Sequence, residues 1–386
     1  MGRDDELHVV VVTDTFFETN GVGTYYKTLL KWCHHVGGMR MTVLCPARDD
    51  VIVGKIPESV IPVRTGIQCR NPFYKDLTLG YYSEKKMREI IGRLDDPKVV
   101  HIATSGALGV AGANAARHLR LPMVGCYHTD LQHYGRIYGR SLLGRPGEWL
   151  GGKAALLCDK FAYGHCEALY GASASAEATA RSFFSGRTEI IPCPIDTERF
   201  HPDAKRAGRF RDQYCKNGAV LAAIVGRIAK EKNLDLICEL LGNDERIRPV
   251  FVGDGPYAPT LRKRWNARIT GFLVGNDLVE AYQQSDVFVQ LSVSETFGLT
   301  LIEALACGLP AIVLRAKGLV DSIPPGSGVE ILEKEHLPTL ADRCVALVHD
   351  PKQHAERSRL VREYALTMGP EMVIPRFVEF HRQYLR

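Results

Sequence analysis

Two glutamates stand eight positions apart, Glu295 and Glu303, in the otherwise apolar stretch LSVSETFGLTLIEALACGLPAIVL at 291–314. A carboxylate in such a run is costly to bury unless something pairs with it. The pair therefore suits either acid and base chemistry or two grips on a hydroxyl-bearing ligand. Three other places carry residues of chemical interest. VTDTFFETNGVGTYYKTLL leads from an apolar run through Asn20, Gly21 and Gly23 into a helical pattern. Such a turn fits either a tight strand-to-helix connection or a backbone cradle for an anion at a helix N-terminus. AAIVGRIAKEKNLDL puts Arg227 and Lys232 just past a strand, at the opening of a helix. Cations there oppose the helix macrodipole unless they face an anion, so a solvated basic turn and a phosphate clamp both fit. GCYHTDLQHYGRIYG places His128 directly after an apolar run, where a histidine either completes the packing or polarises a hydroxyl or leaving group.

The elements that must position these residues are short apolar runs alternating with helical patterns. HVVVV (8–12), MTVLC (41–45), VVHIA (99–103), PMVGCY (122–127), CEALYGAS (166–173) and EIIP (189–192) read as strands in the first half. AVLAAIVG (219–226), PVFVG (249–253), VFVQL (287–291), PAIVL (310–314) and VEIL (329–332) repeat the theme in the second. Their nearly continuous apolar character is the mark of parallel strands covered on both faces. An α/β fold of two doubly wound parallel sheets follows, with the break in PCPIDTERFHPDAKRAGRF, near residue 200. Ligands of open sheets lie beyond the carboxyl ends of the strands, so two facing domains imply a cleft. After VFVQL a polar loop carries Ser294 and Glu295, Gly298 precedes the helix LTLIEALAC, and Gly308 and Pro310 end it. Free amides near Leu299 and Thr300 then lie between the two glutamates, at the positive end of the helix. That geometry suits a ligand with a central phosphate and hydroxyl-bearing rings on either side. Glu303 also fits a residue that complements the dipole.

Composition bounds the function. The 386 residues are 45% hydrophobic and 24% charged, which suits a globular chain of two domains. A net charge of +5 suits anionic small molecules and is too weak to argue for nucleic acid. The eleven cysteines are scattered singly with no CxxC pair, as expected of a reduced, cytoplasmic protein. No stretch reaches about 18 uninterrupted apolar residues, so a membrane span is not expected. HYGRIYGRSLLGRPGEWLGGK (133–153) mixes Arg136, Arg140, Arg145 and Lys153 with Tyr134, Tyr138 and Trp149. It fits an exposed loop and helix, or a segment lying on an anionic bilayer at the inner face of the membrane.

SETFGLTLIEALACGLPAIV resembles the glutamate-seven-glutamate signature of the GT-B glycosyltransferases of family 4. TNGVGTYYKTL, YHTD, IIPCPIDTERFHP, VGRIAKEKN, VGDGP, ITGFL and DLVEAYQQSDVFVQLSVSETFGL stand in that family's order over nearly the whole chain. The resemblance implies two Rossmann-like, doubly wound parallel-sheet domains facing a cleft. Residues 1–198 would bind the acceptor and 199–369 the nucleotide sugar, with a helix at about 370–386 packing back on the first domain. It implies retaining transfer of a hexosyl group, of mannose or glucose type, from a nucleoside-diphosphate sugar to a glycan or lipid. In that family Glu303 would accept from the ribose and Glu295 would hold the sugar hydroxyls. Arg227 and Lys232 would hold the diphosphate, and His128 would stand near the reacting centre. Gly21 and Val22 would turn backbone to the diphosphate, and Gly271 and Phe272 would meet the base. Phe297, Gly298, Leu299 and Thr300 complete the donor site. Two segments depart from the family pattern, CPID at 193–196 and AKGLVD at 316–321, and they leave donor identity open.

Transfer of this kind passes through an oxocarbenium-like state as a diphosphate departs, and fixed cations with helix amides stabilise the developing charge. The sequence contains no Asp-x-Asp pair, so metal-independent transfer with no cofactor is expected. A sugar-nucleotide epimerase, a phosphorylase or a silent binding protein of the same architecture are alternatives. A nicotinamide-dependent oxidoreductase would share the sheets, yet it needs a full GxGxxG and an acidic ribose partner after the first strand.

Overall fold

The computed structural model describes residues 7–18, 20–48, 56–65, 68–70, 78–95, 98–203, 208–215, 218–293 and 295–385, so that Ser294 lies outside the described residues. The chain folds as two units, Met1–Pro194 with Pro370–Arg386, and Ile195–Gly369.

In the first unit β1 (His8–Val12), β2 (Arg40–Pro46) and β3 (Val60–Val63) are followed by a small antiparallel ladder, β4 (Gln68–Arg70) with β5 (Thr78–Gly80). β6 (Lys98–Ile102), β7 (Met123–Tyr127), β8 (Ala168–Gly171) and β9 (Arg187–Ile190) complete a seven-stranded parallel sheet in the order β3-β2-β1-β6-β7-β8-β9. The chain winds outwards in both directions from β1, so the order reverses between β1 and β6. Val9, Val10, Val11 and Val12 are all fully buried, which is why the run shows no alternation. The pattern of the sequence does not show β3. Its VIPV is only half buried and carries a proline, both tolerated because β3 is an edge strand.

Helices α1 (Gly21–Gly37), α2 (Glu84–Gly92), α3 (Ala107–His118), α4 (Leu131–Tyr163) and α5 (Ala174–Arg181) connect the strands. Met87 and Ile91 of α2 and Leu108, Ala111 and Ala115 of α3 pack with Val10, Val12, Val100 and Ile102 in one core.

α4 differs from the loop and helix read from 133–153. It is helical on both sides of Gly144, which breaks it with φ 65° and ψ −145°. A Cβ on Gly139 would overlap the carbonyl of Gly147, and one on Gly135 would meet the carbonyl of Gly151. The two arms therefore lie backbone against backbone as a helical hairpin, each presenting glycines four apart to the other.

The second unit holds α6 (Arg209–Tyr214), β10 (Val220–Val225), α7 (Leu234–Leu241), β11 (Ile247–Val252), α8 (Ala258–Trp265), α9 (Gly275–Gln283) and β12 (Val287–Gln290). α10 (Leu299–Ala306), β13 (Ala311–Leu314), β14 (Glu330–Leu332), α11 (Leu340–His349) and α12 (Pro351–Leu366) follow. The five-stranded parallel sheet has the order β11-β10-β12-β13-β14, so its reversal falls between β10 and β12.

The last helix, α13 (Pro370–Arg382), belongs to the first unit and buries Val373, Ile374, Phe377, Val378, Phe380 and His381 there. Its Arg376 donates to the Ile190 carbonyl at 2.7 Å. Burial of each phenylalanine contributes roughly 2 kcal/mol.

Candidate functional site

The point of strand-order reversal in the second unit gathers most of the charged candidates. Beyond β10 the chain passes through Gly226, with φ 146°, to Arg227. A Cβ on Gly253 would overlap the Gly226 carbonyl, so the loops after β10 and β11 touch through glycine. The expected helix opening at Lys232 is one turn of 3-10 helix, Lys230–Lys232, and α7 begins only after Asn233 in the left-handed conformation. Asn233 Nδ2 donates to the Leu291 carbonyl at 2.9 Å, tying this turn to the end of β12. Lys232 Nζ then donates to Glu295 Oε1 at 2.7 Å, and Gln290 Nε2 donates to the same oxygen at 2.8 Å. Both charged side chains are less than a fifth exposed, 18% and 17%. Arg227 pairs with Glu231 beside them. Among the described residues the buried Gln290 Oε1 and Ser292 Oγ beside them have no hydrogen-bond partner.

α10 starts within the same strand-end loop. Phe297 is buried, Gly298 takes φ 85°, and among the described residues no side chain caps the helix, which opens on the amides of Leu299 and Thr300. Such a terminus suits an anion. The departing segment AKGLVD supports it from behind, because a Cβ on Gly318 would overlap the Glu295 carbonyl and Leu319 lies against Gly298. Gly271, with φ 81°, is bridged to Gly253 at the end of β11, and the next residue, Phe272, is 51% exposed.

Glu303 sits apart from the Lys232–Glu295 pair in its bonding. It is 6% exposed and accepts from the Tyr282 hydroxyl at 2.8 Å. Burial pushes its carboxyl up to about 7 from the usual 4.5, against the bond from Tyr282 and the charge of Arg199. It is not in the first turn of α10, so the dipole offers it little. An acid with a raised folded-state pKa holds more protons folded than unfolded between about pH 4.5 and 7, and stability falls as pH rises through that window. We expect wild type to lose about 2 kcal/mol more stability than Glu303→Gln between pH 5.5 and 7.5. Denaturant unfolding of both proteins at the two pH values measures it. A carboxyl kept at such a cost is a candidate for a site rather than a scaffold.

The first unit treats its own reversal point differently. Asp14, just past β1, accepts from the amides of Leu108 and Gly109 at 2.7 and 3.2 Å and from Thr104 Oγ1 at 2.7 Å. The N-terminus of α3 is thus filled by the protein's own carboxyl group. At α1, Asn20 Oδ1 takes the Gly23 amide at 2.8 Å, and Asn20 Nδ2 ties back to Thr15 at 2.7 Å. Gly21 is exposed and Val22 half-buried at this terminus. His128 follows β7 and is 8% exposed, with the ring of Tyr25, one turn on from Gly21, at 4.4 Å. Burial lowers His128 to about 3, so it is neutral.

The structure thus brings Lys232 and Glu295 together, sets Arg227, Gly271, Phe272 and Phe297 to Thr300 at neighbouring strand and helix ends of the same unit, and places Gly21, Val22 and His128 in the other. Sequence reasoning missed Asn233, Gln290 and Tyr282, which orient the charged residues. Polar residues inside or just after apolar runs were the available signal.

Known proteins match the chain along its length. The family Glycosyltransferase Family 4 matches residues 19–199 and the family Glycosyl transferases group 1 matches residues 209–364. A GDP-mannose-dependent alpha-mannosyltransferase of Mycobacterium tuberculosis is 30% identical, covering 92% of this chain and 91% of its own. One from Corynebacterium glutamicum is 32% identical, covering 91% and 82%. Among solved structures, sucrose-phosphate synthase from Thermosynechococcus elongatus superposes with TM-score 0.74 at 17% identity, covering 98% of each chain. Anabaena HepE in complex with UDP-glucose superposes with TM-score 0.73 at 16% identity, covering 98% and 99%. These two likenesses establish the architecture.

Proposed function

The chain is a GT-B glycosyltransferase of family 4, group 1, and from that membership we propose that it moves a mannose- or glucose-type hexosyl group from a nucleoside-diphosphate sugar to a lipid or glycan acceptor. Transfer retains the anomeric configuration and needs no metal ion or other cofactor. The observation that carries the donor assignment is the Lys232–Glu295 pair at the reversal point of the second sheet, beside the uncapped start of α10. The filled terminus of α3 supports the same choice, since an anion there would compete with Asp14.

In this reading Lys232, Arg227 and the amides of Leu299 and Thr300 take the diphosphate and stabilise its charge as the glycosidic bond breaks. Glu295 holds sugar hydroxyls, Glu303 the ribose, and Gly271 with Phe272 the base. Phe297 and Gly298 fix the loop. By the family resemblance Gly21 and Val22 turn amides to the diphosphate, and His128 accepts from a hydroxyl at the reacting centre. A ribose hydroxyl that donates to ionised Glu303 would lower its pKa, so nucleotide binding releases a proton near pH 7.

The acceptor assignment rests on α4. Leu142, Leu143, Trp149 and Leu150 are 51–67% exposed around its Gly144 turn, and Leu157 and Phe161 extend the apolar surface down the second arm. Arg136, Arg140, Arg145 and Lys153 are exposed on the same hairpin. A rigid apolar tip with cations around it suits the surface of an anionic bilayer, and peripheral binding at the cytoplasmic face follows. Among the described residues no helix is long and apolar enough to cross a membrane. Two related proteins are named alpha-monoglucosyldiacylglycerol synthases, after a lipid product.

The test is turnover of GDP-mannose and UDP-glucose with membrane lipids as acceptor, with and without EDTA. We expect an α-linked product by its one-bond carbon–proton coupling at the anomeric centre and a rate unchanged by chelation. A β-linked product would overturn retention, and a rate abolished by EDTA would overturn metal independence.

A further inference from the structure

Three histidines and a tyrosine of the first unit form one hydrogen-bonded chain. His128 Nε2 lies 3.0 Å from the Tyr26 hydroxyl, which lies 2.7 Å from His101 Nε2. His101 Nδ1 lies 2.9 Å from His381 Nε2, and His381 Nδ1 lies 2.7 Å from the carbonyl of Phe377. The members come from the end of β7, from α1, from the middle of β6 and from α13. Tyr26, His101 and His381 are fully buried. Ring packing holds their planes, with Phe377 at 4.1 Å from His381 and Tyr26 at 5.3 Å from His128.

Burial keeps the rings uncharged. His128 is lowered to about 3 and His381 to about 4, and burial with the two neighbouring imidazoles takes His101 well below its usual value. Each ring therefore carries one N–H, on one of two nitrogens. The last bond decides which. A carbonyl only accepts, so His381 is protonated on Nδ1 and its Nε2 is an acceptor. His101 must then donate from Nδ1, which leaves its Nε2 as an acceptor for the Tyr26 hydroxyl proton. With that proton committed, the Tyr26 oxygen can only accept, and His128 must donate from Nε2. The Nδ1 of His128 is left with its lone pair, and it has no hydrogen-bond partner among the described residues.

We infer that α13 fixes the tautomer of His128 through His381, His101 and Tyr26, so that Nδ1 is held as an acceptor for a substrate hydroxyl. The three are positioning residues that act through His128. The tautomer follows from this chain of bonds between uncharged rings, whereas its use rests on the place given to His128 under the proposed function. The device also accounts for a histidine in the middle of the buried β6, where packing alone would favour an apolar residue.

The full chain labelled with 15N-histidine tests it, by long-range proton–nitrogen correlation of the ring nitrogens at pH 7.5. We expect His128 as the Nε2–H tautomer and His101 and His381 as Nδ1–H. In His381→Leu, His101 loses its acceptor and the bonds can reverse, so His128 shifts to Nδ1–H. The turnover number should fall roughly a hundredfold while the donor KM changes less than about twofold. His381→Gln should rescue both readouts, because its amide oxygen accepts from His101 and its NH2 donates to Phe377. Tyr26→Phe, which cuts the relay at another link, should leave His128 a mixture of tautomers. Wild-type His128 protonated on Nδ1, or a His128 tautomer unmoved in folded His381→Leu and Tyr26→Phe, would overturn the relay. A switched tautomer with unchanged turnover would instead overturn the catalytic use of His128 and leave the relay standing.

Discussion

Lys232→Ala should lower the turnover number by about a thousandfold while leaving the fold intact. The departing nucleoside diphosphate carries the charge that develops as the glycosidic bond breaks, and a cation aimed at it acts most strongly where water is scarce. Lys232 is 18% exposed at the reversal point of the second sheet, so little solvent screens it. Its loss also leaves the Glu295 carboxylate beside the phosphates without its partner, which turns an attraction into a repulsion. Glu295→Gln separates the two contributions: it should retain nucleotide affinity while losing the grip on sugar hydroxyls. The fold should tolerate Lys232→Ala, because Gln290 Nε2 still donates to the Glu295 carboxylate at 2.8 Å after the substitution. Released nucleotide gives the kinetics, and a melting temperature within a few degrees of wild type shows that folding is not the cause.

The α4 hairpin carries the second large effect. Leu143→Glu with Trp149→Glu should weaken partition onto anionic vesicles by two to three orders of magnitude, since two apolar side chains of roughly 1.5–3 kcal/mol each are replaced by like charge. Nucleotide binding should not change, because neither side chain is among the residues assigned to the donor. Sedimentation with vesicles of mixed anionic and zwitterionic lipid measures the partition, and equal binding by variant and wild type would rule the hairpin tip out as a membrane contact. Gly147→Val attacks the same device from its base. Its side chain would strike the Gly139 carbonyl, part the arms and displace the tip.

What could be read from the sequence follows from which physical signals are local. The strands at the centres of both sheets declared themselves because both faces are covered, so VVVV at 9–12 and VFV at 287–289 are fully buried and carry no polar interruption. β3 did not, because an edge strand tolerates Pro62 and partial exposure. The candidate residues stood out by chemical type at strand and helix ends, yet their bonding is long-range. Lys232 and Glu295 meet only because β10 and β12 are neighbours, and nothing within either segment states that. In the sequence Glu303 fits both a grip on ribose and a helix residue that complements a dipole, and only its burial and its bond from Tyr282 weigh against the second. The hairpin escaped a reading based on hydrophobic period, since its contact is made by glycines that have no side chain to score. Its legible trace is the two glycine pairs four apart, Gly135 with Gly139 and Gly147 with Gly151. His101 and His381 were hidden for the opposite reason. His101 sits within an apolar run and His381 on the buried face of a helix, and their partners are in elements remote in sequence.

The central claim is that the second unit binds a nucleoside diphosphate at the reversal point of its sheet. Titration calorimetry of GDP and of UDP into the full chain and into Lys232→Ala, both in EDTA, tests it most directly. We expect one saturable site per chain for at least one of the two nucleotides, weakened about tenfold or more by the substitution. Binding of neither nucleotide, or equal affinity in wild type and Lys232→Ala, would contradict it.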